Sequence, residues 1–193
     1  MKRYNQENWT YDEYIKWQRF RADQKWGVNS VSNLINRNML ESIFNKIKNL
    51  FGGKITVGCM GIKNGAMEFS LFKELLPKAE IVGVDILEKV KEVGNNCYCY
   101  DFNNLPKNWK NKFDLVYSNS IDHSYDIKKT IKEWLRVTKD GGYLLIDFPN
   151  DNVPVGYADL YNFVPEDMEK LFSGNTYTIL DKFENEFYVL VKK

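Results

Sequence analysis

The sequence predicts an α/β fold: a doubly wound, mostly parallel seven-stranded sheet with a C-terminal antiparallel hairpin, preceded by two N-terminal helices. Three observations predict it. From Lys54 to Asp85 the chain reads as strand, glycine-bearing turn, helix, strand and acid. Beyond Asp85, short apolar runs keep alternating with helical stretches, the pattern of parallel strands joined by crossovers. The last two runs, Tyr177 to Phe183 and Phe187 to Val191, are joined by Glu184-Asn185-Glu186, a link so short that the pair must be antiparallel.

In chain order, Thr10-Tyr11-Asp12-Glu13 is a capping box that opens a helix to about Trp26. Its side chains include Tyr11, Tyr14, Ile15, Trp17 and Phe20, an aromatic set suited either to the core or to a lid over a substrate. Gly27 to Ser32 is a break. Leu40, Ile43, Ile47, Leu50 and Phe51 then recur at helical spacing, and Gly52-Gly53 ends that helix. Residues 1–53 therefore read as a helical cap segment of the same domain as residues 54–193.

Ile55-Thr56-Val57 begins the first strand, and Gly58 to Gly65 is the turn. Ala66 to Leu76 is an amphipathic helix stopped by Pro77, and Ile81 to Val84 is the second strand, ending on Asp85. Glu88 to Val93 allows a short helix. Cys97 to Tyr100 is the third strand, ending on Asp101-Phe102, and Phe113 to Tyr117 the fourth, ending in Ser118-Asn119-Ser120. Lys128 to Val137 is a helix, Asp140-Gly141-Gly142 a turn, and Tyr143 to Ile146 the fifth strand, followed by Asp147-Phe148-Pro149. Asn150 to Asn162 reads as a polar loop containing Tyr157 and Tyr161, and Pro165 to Phe172 as a helix begun by its proline.

The formal charge of +1 gives no basic excess of the kind duplex binding requires, so no nucleic-acid partner is expected. No apolar run approaches the ~18 residues of a membrane span. The first residues lack a signal-peptide core, so a cytoplasmic protein without a membrane partner is expected. The three cysteines, Cys59, Cys97 and Cys99, are odd in number and read as small apolar core residues; no metal site is expected.

Strand, glycine turn, helix, strand and acid is the layout of a nucleotide-binding βαβ unit. Glycine lets backbone approach a ligand, and a strand-end carboxylate can accept from both hydroxyls of a ribose. Gly58, Gly61 and Gly65 do not form G-x-G-x-x-G, which disfavours a dinucleotide. On the alternative pattern acid-x-G-x-G-x-G, Gly61 and Gly65 match the first and third glycines, while Cys59 replaces the acid and Lys63 the middle glycine.

Taken with Asp85, Asp101-Phe102, Phe113 to Asn119, Lys139-Asp140-Gly141-Gly142 and the closing hairpin, residues 54–193 resemble a class I S-adenosylmethionine (SAM)-dependent methyltransferase. The turn and the run Ser118 to Ser124 are similar to a small-molecule or glycan-tailoring branch. The resemblance implies SAM as cofactor, bound by Met60, Gly61, Lys63, Asn64, Gly65, Asp85, Ile86, Asp101, Phe102, Ser118 and Asn119. In it Gly61 faces the methionine part, Asp85 the ribose, Ile86 and Asp101-Phe102 the adenine, and Ser118-Asn119 the sulfonium.

A hydroxyl acceptor also needs a base. His123, the single histidine, is the candidate, with Asp122 or Asp147 in support; the alternative is that Asp122 and His123 cap the next helix. Ser118-Asn119-Ser120 differs from the Asn/Asp-Pro-Pro-Tyr/Phe type of nucleic-acid amino methyltransferases. A small polar acceptor follows, a sugar or metabolite hydroxyl, with Tyr157, Tyr161 and the N-terminal aromatics available to stack on it. Two other readings stay open: a non-catalytic SAM-fold binding or scaffold protein, motivated by Cys59, and an NAD or nucleotide-sugar oxidoreductase.

Overall fold

Period-two alternation sorts the strand side chains onto two faces of one sheet. Val57 and Cys59, Leu115 and Tyr117, and Tyr188 and Leu190 enter one buried cluster. Met60, Val82 and Val84, Val116, Leu144, Ile146 and Phe148, and Phe187, Val189 and Val191 enter the other. With both faces covered, the central strands read as continuous apolar runs.

The computed structural model describes residues 2–3, 9–24, 26, 31–65, 68–150, 160–183 and 186–193. In chain order the elements are β1 (Lys2–Arg3), α1 (Tyr11–Gln24), α2 (Val31–Ile47), β2 (Thr56–Met60), α3 (Glu68–Leu75), β3 (Glu80–Asp85), β4 (Cys97–Cys99) and β5 (Phe113–Ser118). They continue with α4 (Ile127–Val137), β6 (Thr138–Pro149), β7 (Tyr161–Asn162), α5 (Met168–Leu171), β8 (Thr176–Lys182) and β9 (Glu186–Lys192).

The main sheet has the order β4-β3-β2-β5-β6-β9-β8. β2 pairs in parallel with β3 and β5, as do β3 with β4 and β5 with β6. β9 runs antiparallel to both β6 and β8, as the short closing link requires. Strand order reverses between β2 and β5, and the crevice at their carboxyl ends is where open α/β sheets hold ligands.

Helices cover both faces. On one, Leu40, Ile43, Phe44 and Ile47 of α2 pack with Phe69, Leu71 and Phe72 of α3. On the other, Ile131, Trp134 and Val137 of α4, Met168 of α5 and Tyr14 of α1 share a cluster. Burying each such side chain contributes about 1.5–3 kcal/mol. The capping box on α1 forms: the Thr10 N–H donates to Glu13 Oε2 at 2.8 Å, and the Glu13 N–H to Thr10 Oγ1 at 3.3 Å. Asp126 caps α4 by accepting from the Lys129 N–H at 3.1 Å, so the alternative of Asp122 and His123 as its caps is corrected.

Several further expectations are corrected. Asp140-Gly141-Gly142 is part of β6 across a bulge and not a turn, because Lys193 pairs there: the Gly141 N–H donates to the Lys193 carbonyl and the Lys193 N–H to that of Gly142. The polar loop ends in buried structure. Leu160 and Tyr161 enter the core, and β7 pairs with β1 in a two-stranded antiparallel ribbon. The helix begun by Pro165 opens as a 3-10 turn before α5. Ala66, residues 27–30, Tyr157, Glu184 and Asn185 lie outside the described residues. Among the described residues no helix is long and apolar enough to cross a membrane.

Candidate active site

A cavity of ≈ 280 Å³ opens at the carboxyl ends of β2, β3, β4 and β5. Of the residues predicted to bind the cofactor or act in catalysis, Gly61, Lys63, Asn64, Asp85, Ile86, Asp101, Phe102, Asn119 and His123 line it. They are far apart in sequence and meet because parallel strands deliver their following loops to one edge.

The turn after β2 is locked to β3. The Gly61 and Ile62 N–H groups both donate to the Val84 carbonyl, at 2.8 and 3.1 Å. Gly61 has φ +84, and a Cβ there would stand 2.7 Å from Ser120 Cβ and Oγ. Glycine is required on both counts, and it brings bare backbone to the cavity. Gly65 serves the turn from behind: its added Cβ would meet Val93 Cγ1 at 2.7 Å, and it does not line the cavity.

Asp85 is buried and oriented by backbone donors. Its Oδ2 accepts from the Lys63 N–H at 2.7 Å and its Oδ1 from the Leu87 N–H at 3.0 Å. A backbone bond from Ile86 also reaches this carboxyl. Burial raises its pKa, opposed by these backbone bonds and by His123. Asp101 Oδ1 accepts from the Asn103 N–H and from Asn103 Nδ2. Its Oδ2 is buried and has no hydrogen-bond partner in the protein. Burial raises this carboxyl too, against the bonds from Asn103. Phe102 is fixed by Trp134, which donates from Nε1 to the Phe102 carbonyl at 3.1 Å and meets its ring edge-on.

Two predicted residues stand behind the wall. Met60 is core, and Ser118 Oγ donates to its carbonyl at 2.8 Å while accepting from the Ser120 N–H. Ser118 thus fixes the loop that carries Asn119 and Ser120 to the cavity. His123 is 34% exposed in its side chain, and its Nε2 lies 4.0 Å from Asp122 Oδ2, beyond a direct hydrogen bond. Asp147 is buried at the end of β6, beside Glu186, Tyr188, Asp122 and Glu68. Burial and the Glu186 charge hold its carboxyl well above the usual range. Tyr161 is core and donates to the Tyr125 carbonyl at 3.3 Å, so it does not line the cavity.

The sequence reading missed part of the wall. Tyr14, set by the sequence among the aromatics of a core or lid, lines the cavity together with Gln18, Arg21 and Ala22 of α1, which the sequence reading did not single out. Their spacing of four, three and one puts them on a single helical stripe, a signal masked by the aromatics beside them. Tyr14 donates from its hydroxyl to the His123 carbonyl, which ties α1 to the far rim. Ile62, Glu68, Asn103 and Ser120 complete the lining. The three cysteines are free thiols, with Cys59 and Cys97 buried on β2 and β4.

The chain matches the family model described as "Methyltransferase domain" over residues 57–178. No curated protein matches it. Among solved structures it is similar to 1,6-didemethyltoxoflavin-N1-methyltransferase of Burkholderia thailandensis, which was determined with bound 1,6-didemethyltoxoflavin and S-adenosylhomocysteine. That match has a TM-score of 0.73 at 11% identity and covers 99% of this chain and 93% of the other. A SAM-dependent methyltransferase from Aquifex aeolicus gives 0.60 at 18% identity over 78% and 88% of the two chains. One from Archaeoglobus fulgidus gives 0.61 at 15% identity over 90% and 99%. At these identities the likeness is one of fold.

Proposed function

The chain belongs to the methyltransferase-domain family, as a class I SAM-dependent methyltransferase, and from that premise we propose that it methylates a hydroxyl of a small polar acceptor, a sugar or metabolite. One observation carries the cofactor assignment: the oriented Asp85, the Gly61 turn and Asp101, whose buried Oδ2 has no partner in the protein, line one cavity. Two features of the cavity fit the cofactor. Asp101 Oδ2 needs a donor, which the adenine amino group is. The Gly61 turn leaves room for a ligand where any side chain would collide.

In this reading Asp85 holds the ribose hydroxyls and Ile86 and Phe102 enclose the adenine. Lys63, Asn64 and Asn119 line the remainder, with Met60, Gly65 and Ser118 positioning them. Residues 1–53 act as a cap, with Gln18 and Arg21 of α1 facing the cofactor-binding portion formed by residues 54–193. The bound cofactor supplies a methyl group already activated on a sulfonium, so the protein's task is alignment and exclusion of water. A neutral hydroxyl must lose its proton as the new C–O bond forms. His123, in the same cavity and 4.0 Å from Asp122, takes that proton.

Calorimetric titration with SAM and S-adenosylhomocysteine, with NAD as control, tests the cofactor assignment; saturable binding of the first two alone is expected. Sugars and small metabolites are then screened for S-adenosylhomocysteine release. Binding without turnover on any acceptor would move the reading to a non-catalytic binding protein. NAD binding would move it to an oxidoreductase.

A further inference from the structure

Three acids line the cavity: Asp85, Asp101 and Glu68. Asp85 and Asp101 follow adjacent strands, β3 and β4, and are used by the nucleoside in the reading above. Glu68 is different. It lies on the first turn of α3, is 4% exposed, and is one of the residues that line the cavity. Its electrostatic neighbours are Lys63 on the turn, Asp85 on β3, Cys59 on β2, Tyr117 on β5 and Asp147 on β6. Apart from Asp85, the strand residues it interacts with sit on β2, β5 and β6, and Asp101 is not among them.

Strand order turns this placement into a ligand map. A nucleoside held by Asp101 and Asp85 over β4 and β3 must direct its 5′ substituent toward β2 and β5. In SAM that substituent is an amino acid with a cationic α-ammonium. Cys59, at the end of β2, offers no charge: burial raises its thiol pKa. Resting on the cofactor assignment above, we infer that Glu68 is the residue that holds the α-ammonium of the cofactor, doing from α3 what no acid on β2 can do. Burial and the neighbouring Asp85 and Asp147 charges disfavour the anionic form of this carboxyl, and an arriving cation offsets them. Burial, then the Asp85 charge, push the Glu68 carboxyl up to about 8, with its own backbone N–H and Lys63 opposing. Near neutral pH it is mostly protonated in the free protein. The α-ammonium binds it as carboxylate, so one proton leaves for solvent as the ammonium arrives.

The test is calorimetry of the full chain and its Glu68→Gln variant with two probes. One is S-adenosylhomocysteine; the other is 5′-methylthioadenosine, which keeps the nucleoside and lacks the amino acid. Gln matches Glu in shape and the protonated acid in charge, and an unchanged thermal melt at acidic pH confirms folding. Glu68→Gln is expected to weaken S-adenosylhomocysteine about 10- to 100-fold, the scale of one charged hydrogen bond, and to leave methylthioadenosine unchanged. Titrations at pH 7 in buffers of different ionisation enthalpy are expected to show close to one proton released for the natural chain and none for the variant. Equal S-adenosylhomocysteine affinity in the two proteins, with the same proton count, would overturn the role of Glu68 and leave the cofactor assignment standing. Failure of the natural chain to bind either probe would overturn both.

Discussion

The Lys63 N–H donates to Asp85 Oδ2 at 2.7 Å, so the glycine turn after β2 and the acid at the tip of β3 form one unit. Lys63 itself has φ +49, a left-handed conformation that side chains other than glycine rarely adopt. The carboxylate that would hold the ribose is thus also the group that holds the turn.

Replacing Asp85 should therefore affect folding and binding separately. Asp85→Ala leaves backbone donors, those of Lys63 and Leu87 among them, without their acceptor and is expected to cost about 1–3 kcal/mol, read as a lower urea midpoint. Asp85→Asn keeps an oxygen for one donor and should recover part of that stability. Both variants should lose at least about tenfold in S-adenosylhomocysteine affinity, because a charge-assisted acceptor has gone. Retained affinity in Asp85→Asn at natural strength would remove the ribose role.

Gly61→Ala places a methyl group where Ser120 stands at 2.7 Å, on backbone with φ +84. The collision and the strained φ together are expected to cost about 1–3 kcal/mol, and cofactor binding should weaken in parallel. Gly52→Ala, with open space around its Cβ, serves as the control and should change neither. A Gly61→Ala variant as stable as the natural chain would contradict the close approach.

His123→Ala tests the base. Its side chain is partly exposed and belongs to a short 3-10 turn, so removal should leave the fold intact. S-adenosylhomocysteine affinity should stay within a small factor. Turnover of a hydroxyl acceptor at saturating substrate should fall by about 10²–10⁴-fold, the usual contribution of a positioned base. Undiminished turnover would assign proton removal elsewhere.

Stability should decline as pH rises through the neutral range. Glu68 is held up to about 8 from 4.5, and Asp147 well above 3.8, both chiefly by burial. A carboxyl raised in this way binds its proton in the folded state after the unfolded chain has released it. Its stabilising effect is full below the unfolded pKa and is lost progressively as pH climbs to the folded pKa. For Glu68 that window runs from about 4.5 to about 8, with a slope of at most about 1.4 kcal/mol per pH unit. Urea midpoints from pH 5 to 8 should show the decline, and Glu68→Gln should make it shallower, leaving the share of Asp147.

Much of the fold was legible because its signals are local. Ile55-Thr56-Val57 and Ile81 to Val84 have the apolar, β-branched character of central strands, and the link between the last two strands is too short for a crossover. Gly61 and Asp85 could be placed because each ends a strand, and parallel strands bring their ends together. Tyr161 could not. Its tyrosine in a polar stretch looked like loop, and it is buried because Leu160 and β7 are drawn in by Asp122 and β1. Likewise Asp140-Gly141-Gly142 has turn chemistry, yet lies in a bulged strand because residue 193 comes back to pair with it.

The sequence by itself determined the order of the main-sheet strands and the helices between them, the glycine turn and the acids at the strand tips, since each follows from spacing and side-chain chemistry within a few residues. Only the tertiary structure decided which of these groups face one cavity. Met60 and Ser118 are next to lining residues and turn inward, whereas Tyr14, Gln18 and Arg21 reach the cavity from a helix far away in sequence. Glu68 shows why: its burial and its acidic neighbours are set by five elements packed together, and no local pattern encodes the field they create at one carboxyl group.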